Sequence, residues 1–338
     1  MVGLNIINIT NNLIPETNSS DTITESYINV DNISRIYYST GNYTQSSDFV
    51  YLCFHPSGNT ALSMLKYSNL SQLDGIVIAL QGQSCKDGYS WYSSFPFQFQ
   101  NPIDDASFVY AVLDRNDLLS KKIYLVGQSD GAGFCFYLSA FNDSSSLQPF
   151  AVPDISILGI ISVSMGSFGL NSVNDFGNNL NSQGYLDSFP VPSVPVCMIE
   201  STNDSVSPYT GSKFSNLIAS SGNTSYWKNI DPDLENTYTP NYINYFKYIT
   251  SGSIDTDINS QVYTKDSSGY ATSNIYRQDN SFFFFIEIIG GEHNFTGYED
   301  SGLPPFVNFV DSVQIISNFS QNPGYVSTFA NTPDIYSF

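Results

Sequence analysis

Gly127-Gln-Ser129-Asp-Gly131 sets a serine between two glycines spaced two residues to either side. A serine held on a sharp turn between a strand and a helix has unfavourable backbone angles. Side chains two positions away would collide across such a turn, so glycine is required there. A serine hydroxyl is a poor nucleophile until a base takes its proton. The chain holds two histidines, His55 in Phe54-His55-Pro56 and His293 in Gly290-Gly-Glu-His293-Asn. His293, a loop histidine behind an apolar run and two glycines, is the better base, and His55 reads as structural. An orienting carboxylate completes the set. Asp204, in the turn behind Val194–Glu200, is the first choice, with Glu200 as competitor and with Asp231 and Asp233 further along. A negative oxygen developing on the substrate needs backbone N–H donors. The residue after the serine, Asp130, supplies one, and the loop Leu80-Gln-Gly-Gln83-Ser-Cys85 supplies the other through the Gln83 N–H. Residues of these types perform acyl transfer, with no metal or cofactor required.

Such side chains meet only if strands and turns bring them to one place. Ile33–Ser39 and Phe49–His55 are strand-like, and Gly75–Leu80 is a continuous apolar run. Runs apolar on both faces suit a parallel sheet covered on both sides. Behind Asp104-Asp105, the positions Phe108, Val109, Val112 and Leu113 share one helical face, with carboxylates at the favoured N-terminal end. Lys122–Val126 is the strand before the serine turn, and Ala132, Cys135, Phe136, Ser139 and Ala140 follow it at helical spacing. Ile155–Val163, Val194–Glu200 and Phe282–Ile289 continue the alternation. Alternating β and α units predict an α/β fold with a mostly parallel sheet flanked by helices. Residues 1–30 read as a polar N-terminal arm and 31–338 as one domain. The stretch 227–260, dense in Asn, Tyr and Asp, reads as an insertion before His293.

Composition excludes several partners. Across 338 residues, 31 acidic side chains oppose 11 basic ones, a net charge of −20. Phosphates would be repelled, which argues against nucleic acid or an anionic membrane as partner. The apolar and aromatic content, 41% and 15%, is ample for a folded core. Charged residues are only 12%, leaving Asn, Ser, Thr and Tyr to cover the surface, a composition that suits an extracellular, surface or virion-associated protein. The first twenty residues lack Lys and Arg and any long apolar run, so they do not read as a secretory signal. The longest apolar runs reach about half of the ~20 residues a membrane span needs. Cys53, Cys85, Cys135 and Cys197 allow three pairings. They read either as buried free thiols or as including a disulfide at Cys85.

Three motifs in order carry a resemblance. Asp104-Asp-Ala-Ser-Phe108 with Ile123-Tyr-Leu-Val-Gly-Gln-Ser129-Asp-Gly131 is the first. Val194-Pro-Val-Cys-Met-Ile-Glu-Ser-Thr-Asn-Asp204-Ser-Val-Ser-Pro-Tyr209 is the second, and Gly290-Gly-Glu-His293-Asn-Phe-Thr-Gly297 is the third. From about Gly75 to about Gln321 the chain resembles the feruloyl esterase and polyhydroxybutyrate depolymerase type of esterase within the α/β-hydrolase superfamily. The resemblance implies an α/β-hydrolase fold and a triad in the order Ser129, Asp204, His293, which favours His293 over His55. It also implies an ester substrate, polymeric esters included. Where the family has Leu-His-Gly before the oxyanion loop, this chain has Leu80-Gln81-Gly82, and the cysteine often found after that glycine stands at Cys85. Two other readings compete: a hydrolase-like surface or virion protein with little or no activity, and a peptidase of similar fold.

Overall fold

The computed structural model describes residues 23–40, 47–68, 70–73, 75–85, 88–91, 105–141, 155–165, 194–207, 209, 212–213, 238–239, 259–264, 272–277, 283–288 and 293. In chain order the first elements are β1 (Ile23–Val30), β2 (Ile33–Thr40), β3 (Phe49–Phe54), α1 (Ala61–Ser68), β4 (Ile76–Leu80) and the short pair β5 (Gln83–Cys85) and β6 (Gly88–Ser90). Then come α2 (Asp105–Arg115), β7 (Lys122–Gln128), α3 (Asp130–Phe141), β8 (Ile157–Val163) and β9 (Val196–Ser201). The last are β10 (Ser212–Lys213), β11 (Tyr238–Thr239), β12 (Asn259–Thr264), β13 (Thr272–Arg277) and β14 (Phe283–Ile288).

Ten strands form one sheet in the order β1-β2-β4-β3-β7-β8-β9-β14-β13-β12. From β4 to β14 every neighbouring pair is parallel. The flanks β1-β2 and β13-β12 are antiparallel additions, and β2 also runs against β4. The sheet is therefore mostly parallel, with helices packed on it. Strands buried on both faces explain the continuous apolar runs: every residue of β4 is buried, as is all of β3 after Phe49.

On α2 the four apolar positions at helical spacing, Phe108, Val109, Val112 and Leu113, are all buried. Each such side chain contributes roughly 1.5–3 kcal/mol by leaving water. The helix starts at Asp105, whose carboxylate accepts from Arg35 Nη2 at 2.6 Å, and both side chains are buried. Asp105 thus does more than favour the helix dipole: it ties α2 to β2.

One expectation needs correction. The N-terminal arm does not extend to residue 30, because β1 pairs with β2 along its whole length and Val30 is buried in the core. Its pattern is weak because the strand is exposed or half-buried along most of its length, with only Val30 fully buried. Of the two readings of the cysteines, the one of buried free thiols holds for Cys53, Cys135 and Cys197. Of the expected insertion at 227–260, only β11 and the first two residues of β12 fall within the described residues.

From β3 the chain passes to β4 on one side, and from β7 onward it builds the sheet on the other. That reversal opens a crevice beyond the carboxyl ends of β3 and β7, where open α/β sheets bind ligands. Ser129 directly follows β7.

Candidate active site

Ser129 has φ +53, the left-handed region that an L-residue rarely adopts. Its surroundings hold it there. Its N–H donates to the Val163 carbonyl at 2.9 Å, and its own carbonyl accepts the Ala132 and Gly133 N–H groups at 3.0 and 3.1 Å. The flanking glycines are sterically obligatory. A Cβ at Gly127 would stand 2.4 Å from the Gly131 carbonyl oxygen, and one at Gly131 would stand 2.1 Å from that of Phe54. Both obstacles are backbone, which cannot swing aside, so strand β7 meets helix α3 across a turn only glycine permits.

Asp204 stands three residues beyond β9, and its carboxylate is buried. One oxygen, Oδ1, accepts the Val206 and Ser207 N–H groups at 2.8 and 2.6 Å. The other, Oδ2, lies 2.6 Å from His293 Nδ1. His293 Nε2 lies 2.9 Å from Ser129 Oγ. The acid, the imidazole and the hydroxyl thus form one chain, drawn from the carboxyl ends of β9 and β7 and from residue 293 beyond β14. A carboxylate can only accept, so the Nδ1 hydrogen points to Asp204 and leaves Nε2 to receive the hydroxyl proton.

Glu200, the competing acid, has a different partner. It lies within β9, and its two oxygens accept the Met165 N–H at 3.0 and 3.2 Å. Burial pushes its carboxyl well above the usual range, an effect that the Met165 N–H offsets and Asp204 reinforces. Met165 in turn offers its carbonyl to Ser207 Oγ at 2.8 Å, so Glu200 braces the turn that holds Asp204.

His55 is buried at the end of β3. Its Nε2 accepts the Gly82 N–H at 2.9 Å and stands 3.0 Å from Gln81 Nε2. Gln83 opens β5 opposite Ser90 of β6, and Asp130 is the first residue of α3. The Asp130 carboxylate accepts Ser90 Oγ at 2.5 Å and the Trp91 N–H at 3.3 Å. Arg35 reaches the same loop, donating to the Gln81 carbonyl at 3.2 Å. Sequence reasoning missed Arg35, Ser90 and Trp91. Their roles depend on contacts across 46, 40 and 39 residues, which no local pattern announces.

Strand order, the serine turn and the shared sheet edge identify the architecture. It is the α/β-hydrolase fold. No protein-family model matches the sequence, and no curated protein does. Solved structures of similar fold include a predicted CIB-like hydrolase from Thermoplasma acidophilum, at 15% identity and a TM-score of 0.44 over 89% of this chain and 99% of that one. Est1E from Butyrivibrio proteoclasticus aligns at 12% identity and a TM-score of 0.43 over 88% and 98%. An alpha-beta serine hydrolase homologue from Coxiella burnetii aligns at 11% and 0.41 over 87% and 96%.

Proposed function

We propose that this protein is a serine hydrolase that cleaves carboxylic esters through an acyl-enzyme. The observation that carries the reading is the chain Asp204 Oδ2, His293, Ser129 Oγ with separations of 2.6 and 2.9 Å. Ser129 Oγ attacks the ester carbonyl carbon while its proton passes to His293 Nε2. The oxyanion is held by the Asp130 N–H and by a second backbone N–H, expected at Gln83 but better supplied by the loop after β3, the strand beside β7, and losing one such donor costs about 10²–10³ in rate in a comparable enzyme. The intermediate then collapses. The C–O bond to the alcohol breaks, and the leaving alkoxide takes the proton from His293. Water attacks the acyl-enzyme, gives its proton to His293, and the acid departs as Ser129 Oγ is reprotonated. Asp204 holds the Nδ1–H tautomer and stabilises the imidazolium in both halves.

The motifs around Ser129, Asp204 and His293 support feruloyl, acetyl or hydroxyalkanoate esters, polymeric ones included, as substrates. The low share of charged residues supports an extracellular or virion-associated setting. A fluorophosphonate probe tests the mechanism: it should label Ser129, and Ser129→Ala should abolish labelling. An unlabelled, folded wild-type protein would mean that the fold serves as a binding scaffold. A panel of chromogenic esters graded by acyl size then assigns the substrate class.

A further inference from the structure

We propose that Ser207 is a positioning residue: its side-chain hydroxyl ties the turn that carries Asp204 to the end of β8, and so fixes how Asp204 meets His293. The kinetic consequence rests on the ester-hydrolase reading, while the geometry stands without it.

The turn behind β9 needs an anchor. Asn203, Ser205 and Val206 are exposed, and within 202–207 only Asp204 and Ser207 are buried. A segment with so few buried contacts opens readily. The Asp204 carboxylate must nonetheless keep Oδ2 at 2.6 Å from His293 Nδ1. The Ser207 backbone helps, its N–H donating to Asp204 Oδ1 at 2.6 Å. That bond spans three residues of one turn and would travel with the turn if it moved. The hydroxyl reaches outside it. Ser207 Oγ donates to the Met165 carbonyl at 2.8 Å, across 42 residues of chain.

The acceptor is itself fixed. Met165 is buried behind β8, and its N–H donates to both Glu200 oxygens at 3.0 and 3.2 Å. Ser164, just ahead of it, stands at φ +44 in the left-handed region, with its N–H given to the Ile199 carbonyl at 2.9 Å. A residue other than glycine stays there only where its surroundings over-determine it, and such positions gather at functional sites. Parallel pairing sets these groups abreast. Gln128 is in register with Val163, and Val163 with Ile199, so Ser129, Ser164 and Glu200 come next on three neighbouring strands. One hydrogen-bonded path then runs from Glu200 through Met165 and Ser207 to Asp204, and on through His293 to Ser129 Oγ. It ties the acid to the same sheet edge as the nucleophile, so the geometry of proton transfer is set before substrate arrives.

Two variants test this role. Ser207→Ala removes the hydroxyl and keeps the backbone N–H to Asp204, while Ser207→Thr keeps both. With p-nitrophenyl acetate, Ser207→Ala should lower kcat about 5- to 50-fold with KM within about threefold, because Asp204 stabilises an imidazolium that forms only as the reaction proceeds. Ser207→Thr should stay within about threefold of wild-type kcat. In an Asp204→Asn background Ser207→Ala should cost little further, since the hydroxyl acts through that carboxylate. The proton NMR resonance of the His293 Nδ1 hydrogen, deshielded by the short bond to Asp204, should move upfield in Ser207→Ala and hold its place in Ser207→Thr. If Ser207→Ala does not fold, Ser207→Cys, whose thiol is a weak donor, takes its place. An unchanged kcat in Ser207→Ala, an equal loss in Ser207→Thr, a full additive loss beside Asp204→Asn, or an unmoved Nδ1 resonance would each overturn the proposal. A wild type inert toward every ester would sink the hydrolase reading instead, and the resonance would still decide whether Ser207 positions the acid.

Discussion

The two histidines follow two strands of the same sheet, His55 behind β3 and His293 beyond β14, and they meet partners of opposite kinds. His55 is wholly enclosed, and its ring nitrogens meet a backbone N–H, a side-chain amide and a backbone carbonyl. The side chain of His293 keeps 15% of its exposure, and its nitrogens meet a carboxylate and a hydroxyl. A backbone N–H never gives up its proton, so a histidine facing one can only hold position. A hydroxyl can give up its proton, so a histidine facing one can transfer it. Partner chemistry, more than residue type, separates scaffold from base.

The most severe test of that contrast is removal of the proton path. Ser129→Ala and His293→Ala should each cut ester hydrolysis by at least about a thousandfold, and the double variant should fall little further, because the groups act as one unit. Circular dichroism should show the fold retained in all three. Near-wild-type turnover in either single variant would make His293 as structural as His55.

The carboxylates repeat the contrast on a smaller scale. Asp204→Asn presents an amide to His293 and favours the wrong tautomer, so kcat should drop about 10²–10⁴-fold. Glu200→Gln keeps an acceptor for the Met165 N–H and should leave kcat within a few-fold. Its effect belongs to stability. The folded-state pKa of Glu200 is raised by burial, so its contribution is present at low pH and is lost as pH rises through that value. Glu200→Gln should therefore melt higher than wild type at alkaline pH, with the gap closing toward pH 4. A greater activity loss in Glu200→Gln than in Asp204→Asn would exchange the two assignments.

Much of this was legible in the chain. The apolar runs at Gly75–Leu80 and Lys122–Val126 coincide with β4 and β7, because strands covered on both faces carry no alternation to confuse with surface. The pairing of glycines around Ser129 was legible because backbone crowding leaves no other residue type. What was hidden depends on distant contact. Ile23–Val30 looked like an arm because an edge strand gains its stability from β2, not from its own composition. Arg35 carried no signal in the sequence, because the Asp105 that pairs with it stands 70 residues on. His55 could be set aside as structural from its place ahead of Ser129 in the chain, but the Gly82 N–H it holds is visible only in three dimensions.

The gentlest prediction concerns acid. The pKa of His55 is lowered from 6.5 to about 4, chiefly by burial. Between those values the unfolded chain binds a proton at this site and the folded chain does not. Stability must then rise with pH across the window, and it falls as pH drops from about 6.5 toward 4. Carboxylates titrate in the lower part of the same range, so wild type alone cannot isolate the effect. His55→Gln supplies the reference, since it keeps the Gly82 acceptor but cannot be protonated there. Melting temperatures recorded every half unit from pH 7.5 to 4 should decline more steeply for wild type than for His55→Gln, with the divergence beginning near 6.5. Parallel curves would mean that the ring is protonated as readily in the folded protein as outside it. The imidazole could then not be the acceptor for Gly82, and the two histidines would be less different than their surroundings imply.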